Sequence, residues 1–141
     1  MRRRALLATV AATSVAGCLA WDGSDRLVCD EDCDIGMSAD EFLPDEYETT
    51  VGETVTWKNT STKAHTVTAY DTAIPEEAQY FASGGFDSQA EAIDAWYDRF
   101  GGRLNAGDSF SHTFDVPGEY RYYCIPHDAA GMVATVIVHD G

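Results

Sequence analysis

The sequence predicts an all-β fold, an antiparallel Greek-key β-sandwich with one inserted α-helix around residues 88–100. Three observations lead there. Short runs rich in β-branched and aromatic residues are punctuated by Gly and Pro. A single stretch switches to a helical period. The residues richest in chemistry sit directly after an aromatic, strand-like run near the C-terminus. At 141 residues, 45% hydrophobic and 11% aromatic, the chain holds one domain with a real core and is too short for two.

The strands follow in order. From Tyr47 to Asn59 the pattern alternates, with Tyr47, Thr49 and Val51 on one face, a turn at Gly52-Glu53, and Val55 and Trp57 facing the core. That pattern predicts a hairpin. Ala64 to Ala69, Phe110 to Phe114, Tyr120 to Cys124 and Met132 to Val138 read as further strands, with Pro117-Gly118 as a turn. Between Asp87 and Phe100, Ile93, Trp96, Tyr97 and Phe100 fall at i, i+3, i+4 and i+7. Ser88 and Glu91 form a capping box and Gly101-Gly102 closes the run, so a helix is expected with its aromatic stripe as a packing face. Thr72 to Gly85 is a long connection without an assigned element.

The N-terminus reads as an address. Arg2-Arg3-Arg4 followed by the apolar run Ala5 to Ala16 matches a secretory signal over residues 1–17, and Arg3-Arg4-Ala5-Leu6-Leu7 resembles a twin-arginine signal. Val15-Ala16-Gly17-Cys18 resembles a lipobox, which makes Cys18 the expected lipidation site; the alternative is an uncleaved anchor helix over Ala5 to Trp21. Either way the domain is expected outside the cytoplasm, anchored to the outer face of the cell membrane. Residues 18–34 read as an acidic tether and residues 35–141 as the functional domain. Cys29 and Cys33 lie in the tether. A binuclear copper centre would need a His soon after the second Cys, and Asp34-Ile35-Gly36-Met37 follows instead; zinc lacks partners as well. A disulfide between them suits an oxidising compartment.

Tyr120-Arg121-Tyr122-Tyr123 leads into Cys124-x2-His127-x4-Met132. Thiolate, imidazole and thioether within nine residues form a soft donor set that points to copper, and a His2Cys site with a long axial Met is the blue-copper electron-transfer arrangement. The second imidazole has to come from elsewhere, and His65 is the best candidate. His112, between Phe110 and Phe114, and His139 near the C-terminus read as structural or solvated.

Through Phe42-Leu43-Pro44, Gly52 to Asn59, His65-Thr66-Val67, Phe110 to Phe114, Pro117 to Met132 and Val136-Ile137-Val138, the sequence resembles the plastocyanin-like cupredoxins, and among them the halocyanin branch. The resemblance spans about residues 35 to 138. It implies one type 1 copper held by His65, Cys124, His127 and Met132, the last three on a tight loop between the final two strands. Around them Pro126 has no N–H to give, so the Thr66 N–H is the expected donor to the Cys124 sulfur. The resemblance also implies that His127 turns its ring edge outward through an apolar patch of Ala64, Pro126, Ala129 and Ala130. Ala64 stands where Pro often precedes the ligand, and Thr66 where Asn follows it; these departures bear on loop rigidity and potential.

Nine Lys and Arg against 24 Asp and Glu give a net charge of −15, and loss of Arg2, Arg3 and Arg4 would make the mature chain more acidic still. Such a surface repels nucleic acid and anionic lipid. The acidic residues are scattered, which favours solvation in high salt over a docking patch. An oxidase or reductase would need further copper sites with clustered histidines, and the chain has 4 His, none so arranged. The sequence therefore predicts a monomeric electron carrier between redox partner proteins and not an enzyme, with copper storage without redox duty as the alternative.

Overall fold

The computed structural model describes residue 29 and residues 32–141. The predicted signal, the Cys18 lipidation site and most of the predicted tether lie outside the described residues. No helix among the described residues is long and apolar enough to cross a membrane.

Eight strands form the body: β1 (Ile35–Met37), β2 (Phe42–Leu43), β3 (Glu46–Thr50), β4 (Thr54–Asn59), β5 (Thr68–Ala69), β6 (Ser109–Thr113), β7 (Gly118–Tyr123) and β8 (Val133–His139). They make two four-stranded sheets, in the orders β2-β1-β4-β6 and β3-β8-β7-β5. The all-β sandwich with one helix is the fold expected. β1–β4 and β3–β8 pair parallel, while the other ladders are antiparallel. Alternation along β4 and β8 sends Val55, Trp57, Ala134, Val136 and Val138 inward. Trp57 sits at the centre, within 5.4–6.5 Å, ring to ring, of Phe81, Phe110, Phe114 and Tyr122.

The expected hairpin over 47–59 is not formed. β3 pairs with β8 in one sheet and β4 with β1 and β6 in the other. At the corner, Val51 N–H donates to His139 O (2.9 Å) and Gly52 N–H to Phe114 O (2.7 Å), with Gly52 in the left-handed region at φ 92°. Alternation reports which face of a strand is buried but is silent on its neighbour, so a sheet-switching corner reads like a hairpin.

Helix α1 (Gln89–Arg99) begins at the expected Ser88 cap, whose Oγ accepts the Glu91 N–H (3.1 Å), while Glu91 Oε1 reaches one residue further back than a capping box requires and accepts the Asp87 N–H (3.3 Å). It ends on Phe100 in the left-handed conformation, one residue before the glycine pair. Gly101 is still needed, because a Cβ there would lie 2.7 Å from Ala95 Cβ. The aromatic stripe divides. Trp96 is buried with Ala82, Ala92, Tyr123 and Ile125, but Tyr97 and Phe100 are 74% and 57% exposed. The connection before the helix is irregular yet tied down. Ser83, 2% exposed, accepts the Val67 N–H (3.0 Å) and donates to Gly102 O (2.8 Å), linking the end of α1 to the strand region that follows His65.

Upstream of β1, Cys29 and Cys33 are joined in a disulfide. Asp34 Oδ2 accepts the Thr56 N–H (2.9 Å), and Lys58 pairs with Asp32 (2.6 Å), so the segment just before β1 is fastened along β4.

Candidate metal centre

The end of the sandwich reached by β4 and β7 carries the metal centre. After β7, Cys124 remains extended, and the chain folds into 3-10 turns over Ile125–Ala130, with Pro126 fixing the first of them. Gly131, at φ 85°, takes the left-handed position that lets the loop turn back into β8. The neck is closed by Cys124 N–H to Met132 O (3.1 Å) and Met132 N–H to His127 O (3.2 Å). A local loop thus presents Cys124, His127 and Met132 from one tight base.

His65 arrives from the other side. It forms an isolated bridge with Leu104, each N–H donating to the other's carbonyl at 3.1 and 2.8 Å. Asn59, 1% exposed at the end of β4, shapes this approach by donating to Lys63 O (2.6 Å) and Leu104 O (2.9 Å) and accepting from Ser61 N–H (2.9 Å) and Ser61 Oγ (2.8 Å). Ser61 Oγ in turn lies 3.1 Å from His65 Nε2. That contact leaves Nδ1 as the nitrogen facing the loop. Neither Asn59 nor Ser61 stood out as a site residue in the sequence. Their signal is the run Asn59-Thr60-Ser61-Thr62 at a strand end, which marks a side-chain-bonded turn.

The donors converge. His65 Nδ1 and His127 Nδ1 lie 3.5 and 3.4 Å from Cys124 Sγ, and the three ligating atoms are all within 4.8 Å of one another. One first-row ion with bonds of about 2 Å requires such a spacing. His65 and Cys124 are fully buried, and Met132 is 1% exposed within the same core cluster as Cys124. His127 is the partly exposed donor. His112 and His139 lie apart: His112 stacks on Phe81 (4.7 Å), and His139 pairs with Glu48 (2.7 Å).

Thr66 joins the two halves. Its N–H lies 3.4 Å from Cys124 Sγ, and its hydroxyl accepts the Ile125 N–H (2.9 Å) while bonding Thr68 Oγ1 (2.9 Å). Thr66 thus ties the loop down through its own hydroxyl.

Burial governs the protonation states. It pushes the pKa of His65 down to about 4, helped by the neighbouring His127 and Lys63 and opposed by the Ser38 carbonyl and Asp40. His127 is lowered mainly by burial and then by Lys63, against Asp40. Both imidazoles are therefore neutral near pH 7, each with a lone pair to offer. Burial raises Cys124 to about 11, although the N–H groups of Thr66 and His127 favour its anion. A thiol in that state keeps its proton near pH 7 until a metal ion takes the sulfur and the proton is released to solvent.

Two imidazoles and a thiolate, with a buried thioether on the same loop, fit one type 1 copper ion. Comparison with known proteins agrees. The model of copper-binding proteins of the plastocyanin/azurin family matches residues 29–139, and the chain belongs to that family. It is 35% identical over 98 residues to the chloroplast plastocyanin of Hordeum vulgare, covering 70% of this chain and 54% of that one. With the chloroplast plastocyanin of Chlamydomonas reinhardtii it is 32% identical over 130 residues, covering 89% and 79%. The chain spans little more than half the length of several plastocyanins it matches. Among solved structures, an oxidised amicyanin variant shares the fold at TM-score 0.52 and 23% identity, covering 79% of this chain and 86% of that one.

Replacing Thr66 by Val keeps the N–H beside Cys124 but removes the acceptor for the buried Ile125 N–H. The copper-loaded variant is expected to lose about 1–3 kcal/mol of stability, read by thermal or denaturant unfolding. Unchanged stability would show that the hydroxyl does not hold the loop.

Proposed function

We propose that this protein is a membrane-tethered type 1 blue-copper electron carrier, passing single electrons between redox partner proteins. The observation that carries the reading is the convergence of His65 Nδ1 and His127 Nδ1 on Cys124 Sγ, within a frame already shaped to hold them.

When bound, copper supplies a one-electron Cu(II)/Cu(I) couple. The chain's residues do the rest. The His65–Leu104 bridge and the Cys124–Met132 neck hold the donors on backbone hydrogen bonds, so little rearrangement accompanies a change of charge. Burial of His65, Cys124 and Met132 keeps water off these three side chains. His127 alone of these four reaches the surface, beside exposed Pro126, Ala129 and Ala130 and half-buried Ala64. Its ring edge is the exit and entry for the electron.

The tether belongs to the same proposal. Residues 1–17 direct export, Cys18 takes the lipid, and the acidic segment to Asp34 links anchor to domain. The described end of that segment supports a fixed link, with Asp32 and Asp34 held by Lys58 and Thr56 of β4.

Absorption and EPR spectra of the copper-loaded protein test the carrier reading. It is expected to be intensely blue when oxidised and to bleach reversibly on reduction. Cys124→Ser should abolish the colour, and Met132→Gln should keep copper with a lower potential. A protein that binds copper yet stays colourless in oxidant would be a store and not a carrier. For the anchor, Cys18→Ala is expected to move the protein from the membrane fraction to the soluble fraction in the native host; unchanged partition would rule out lipidation at that residue.

A further inference from the structure

The turn that carries His65 to the metal loop holds a set of hydrogen bonds whose protons can be assigned one by one. It begins at Asn59, buried at the end of β4. One edge of its amide faces two carbonyl oxygens, Lys63 O at 2.6 Å and Leu104 O at 2.9 Å. Only the NH2 group fits there, because the amide oxygen turned the same way would meet two acceptors and no proton. Asn59 Oδ1 is thereby directed at Ser61, 2.9 Å from its backbone N and 2.8 Å from its Oγ.

Ser61 takes the assignment one step further. A hydroxyl has one proton to give and two lone pairs to offer. Asn59 Oδ1 takes the proton at 2.8 Å, with Lys63 O at 3.3 Å as a second acceptor, and neither has a proton to return. The Lys63 N–H donates to Oγ at 3.1 Å and occupies one lone pair. What is left for His65 Nε2, at 3.1 Å, is an acceptor. A neutral imidazole carries one ring proton, so that proton sits on Nε2 and Nδ1 keeps its lone pair.

The reverse arrangement would fail at the metal. If Ser61 donated to Nε2, the ring proton would sit on Nδ1, 3.5 Å from Cys124 Sγ, where a metal ion needs a lone pair. His65 is fully buried, so bulk water has no ready access to exchange one form for the other. The direction of a single hydroxyl proton, set by an amide two residues earlier, therefore decides whether the site is ready.

We propose that Ser61 is a positioning residue for the metal centre: held by Asn59, its hydroxyl fixes the Nε2–H tautomer of His65 before copper binds and strengthens Nδ1 as a donor to the oxidised ion. An imidazole whose N–H is bonded to an acceptor is the stronger base, and a stronger base favours Cu(II) over Cu(I). The inference rests on His65 as a copper donor and adds to that reading the group that sets the donor.

A Thr and Val pair at this position separates the hydroxyl from the space it fills, because both side chains add the same branched bulk and only Thr keeps the oxygen. In the full chain, copper-free and isotope-labelled at histidine, long-range proton–nitrogen NMR near pH 7 reads the tautomer of each ring. The unaltered protein and Ser61→Thr are expected to show His65 in the Nε2–H form alone. Ser61→Val is expected to show both tautomers, to bind copper about 10- to 100-fold more weakly, and when loaded to have a higher potential than Ser61→Thr. A His65 ring protonated on Nδ1, or exchanging between the two forms, in the unaltered copper-free protein overturns the proposal without recourse to any variant. So does a Ser61→Val protein that matches Ser61→Thr in tautomer, copper affinity and potential. If the unaltered protein binds copper and stays colourless in oxidant, the carrier reading falls, while the tautomer of His65, read without metal, still decides the role of Ser61.

Discussion

Two imidazoles and a thiol are held within a few ångströms of one another, largely out of water, by two segments nearly sixty residues apart in sequence. Thr66 makes that possible, since its N–H meets the Cys124 sulfur and its hydroxyl takes the Ile125 N–H. One residue thus connects the strand region after His65 to the loop that brings His127. A buried polar cluster of this kind is stable only when its members are satisfied, because an unmatched group in a low-dielectric interior costs more than a made bond returns. Asn59 completes the satisfaction on the His65 side, spending its amide on two carbonyls and its oxygen on Ser61.

The sandwich serves this constraint. β4 delivers Asn59 and the turn leading to His65, while β7 and β8 deliver the two ends of the metal loop, and the aromatic packing around Trp57 lies between the sheets. Interiors packed to this degree move little, so the donors are fixed before any metal arrives. Burial then sets the chemistry, keeping the imidazoles neutral and the thiol protonated until a metal displaces its proton.

Much of this was legible in the sequence for physical reasons. The loop donors could be read because they are local: a Cys, a His and a Met within nine residues after an aromatic strand carry their own geometry. The helix was legible from its period and its Ser88 cap. The hairpin over 47–59 was misread, since alternation in Tyr47 to Trp57 fixes faces and not partners, and the chain changes sheets at Gly52. Asn59 and Ser61 escaped notice because their value depends on Leu104 and His65, contacts no local pattern announces. The helical stripe identified Trp96 as core but could not show that Tyr97, one residue on, faces water beside a groove. Periodicity locates a face; where that face ends depends on what packs against it.

X-ray absorption at the copper edge, on oxidised and reduced protein near pH 7, addresses the central claim most directly. Preorganised donors predict a shell of one short sulfur and two imidazole nitrogens that keeps its members in both oxidation states. A spectrum without the short sulfur, or a shell that exchanges a ligand on reduction, would contradict it.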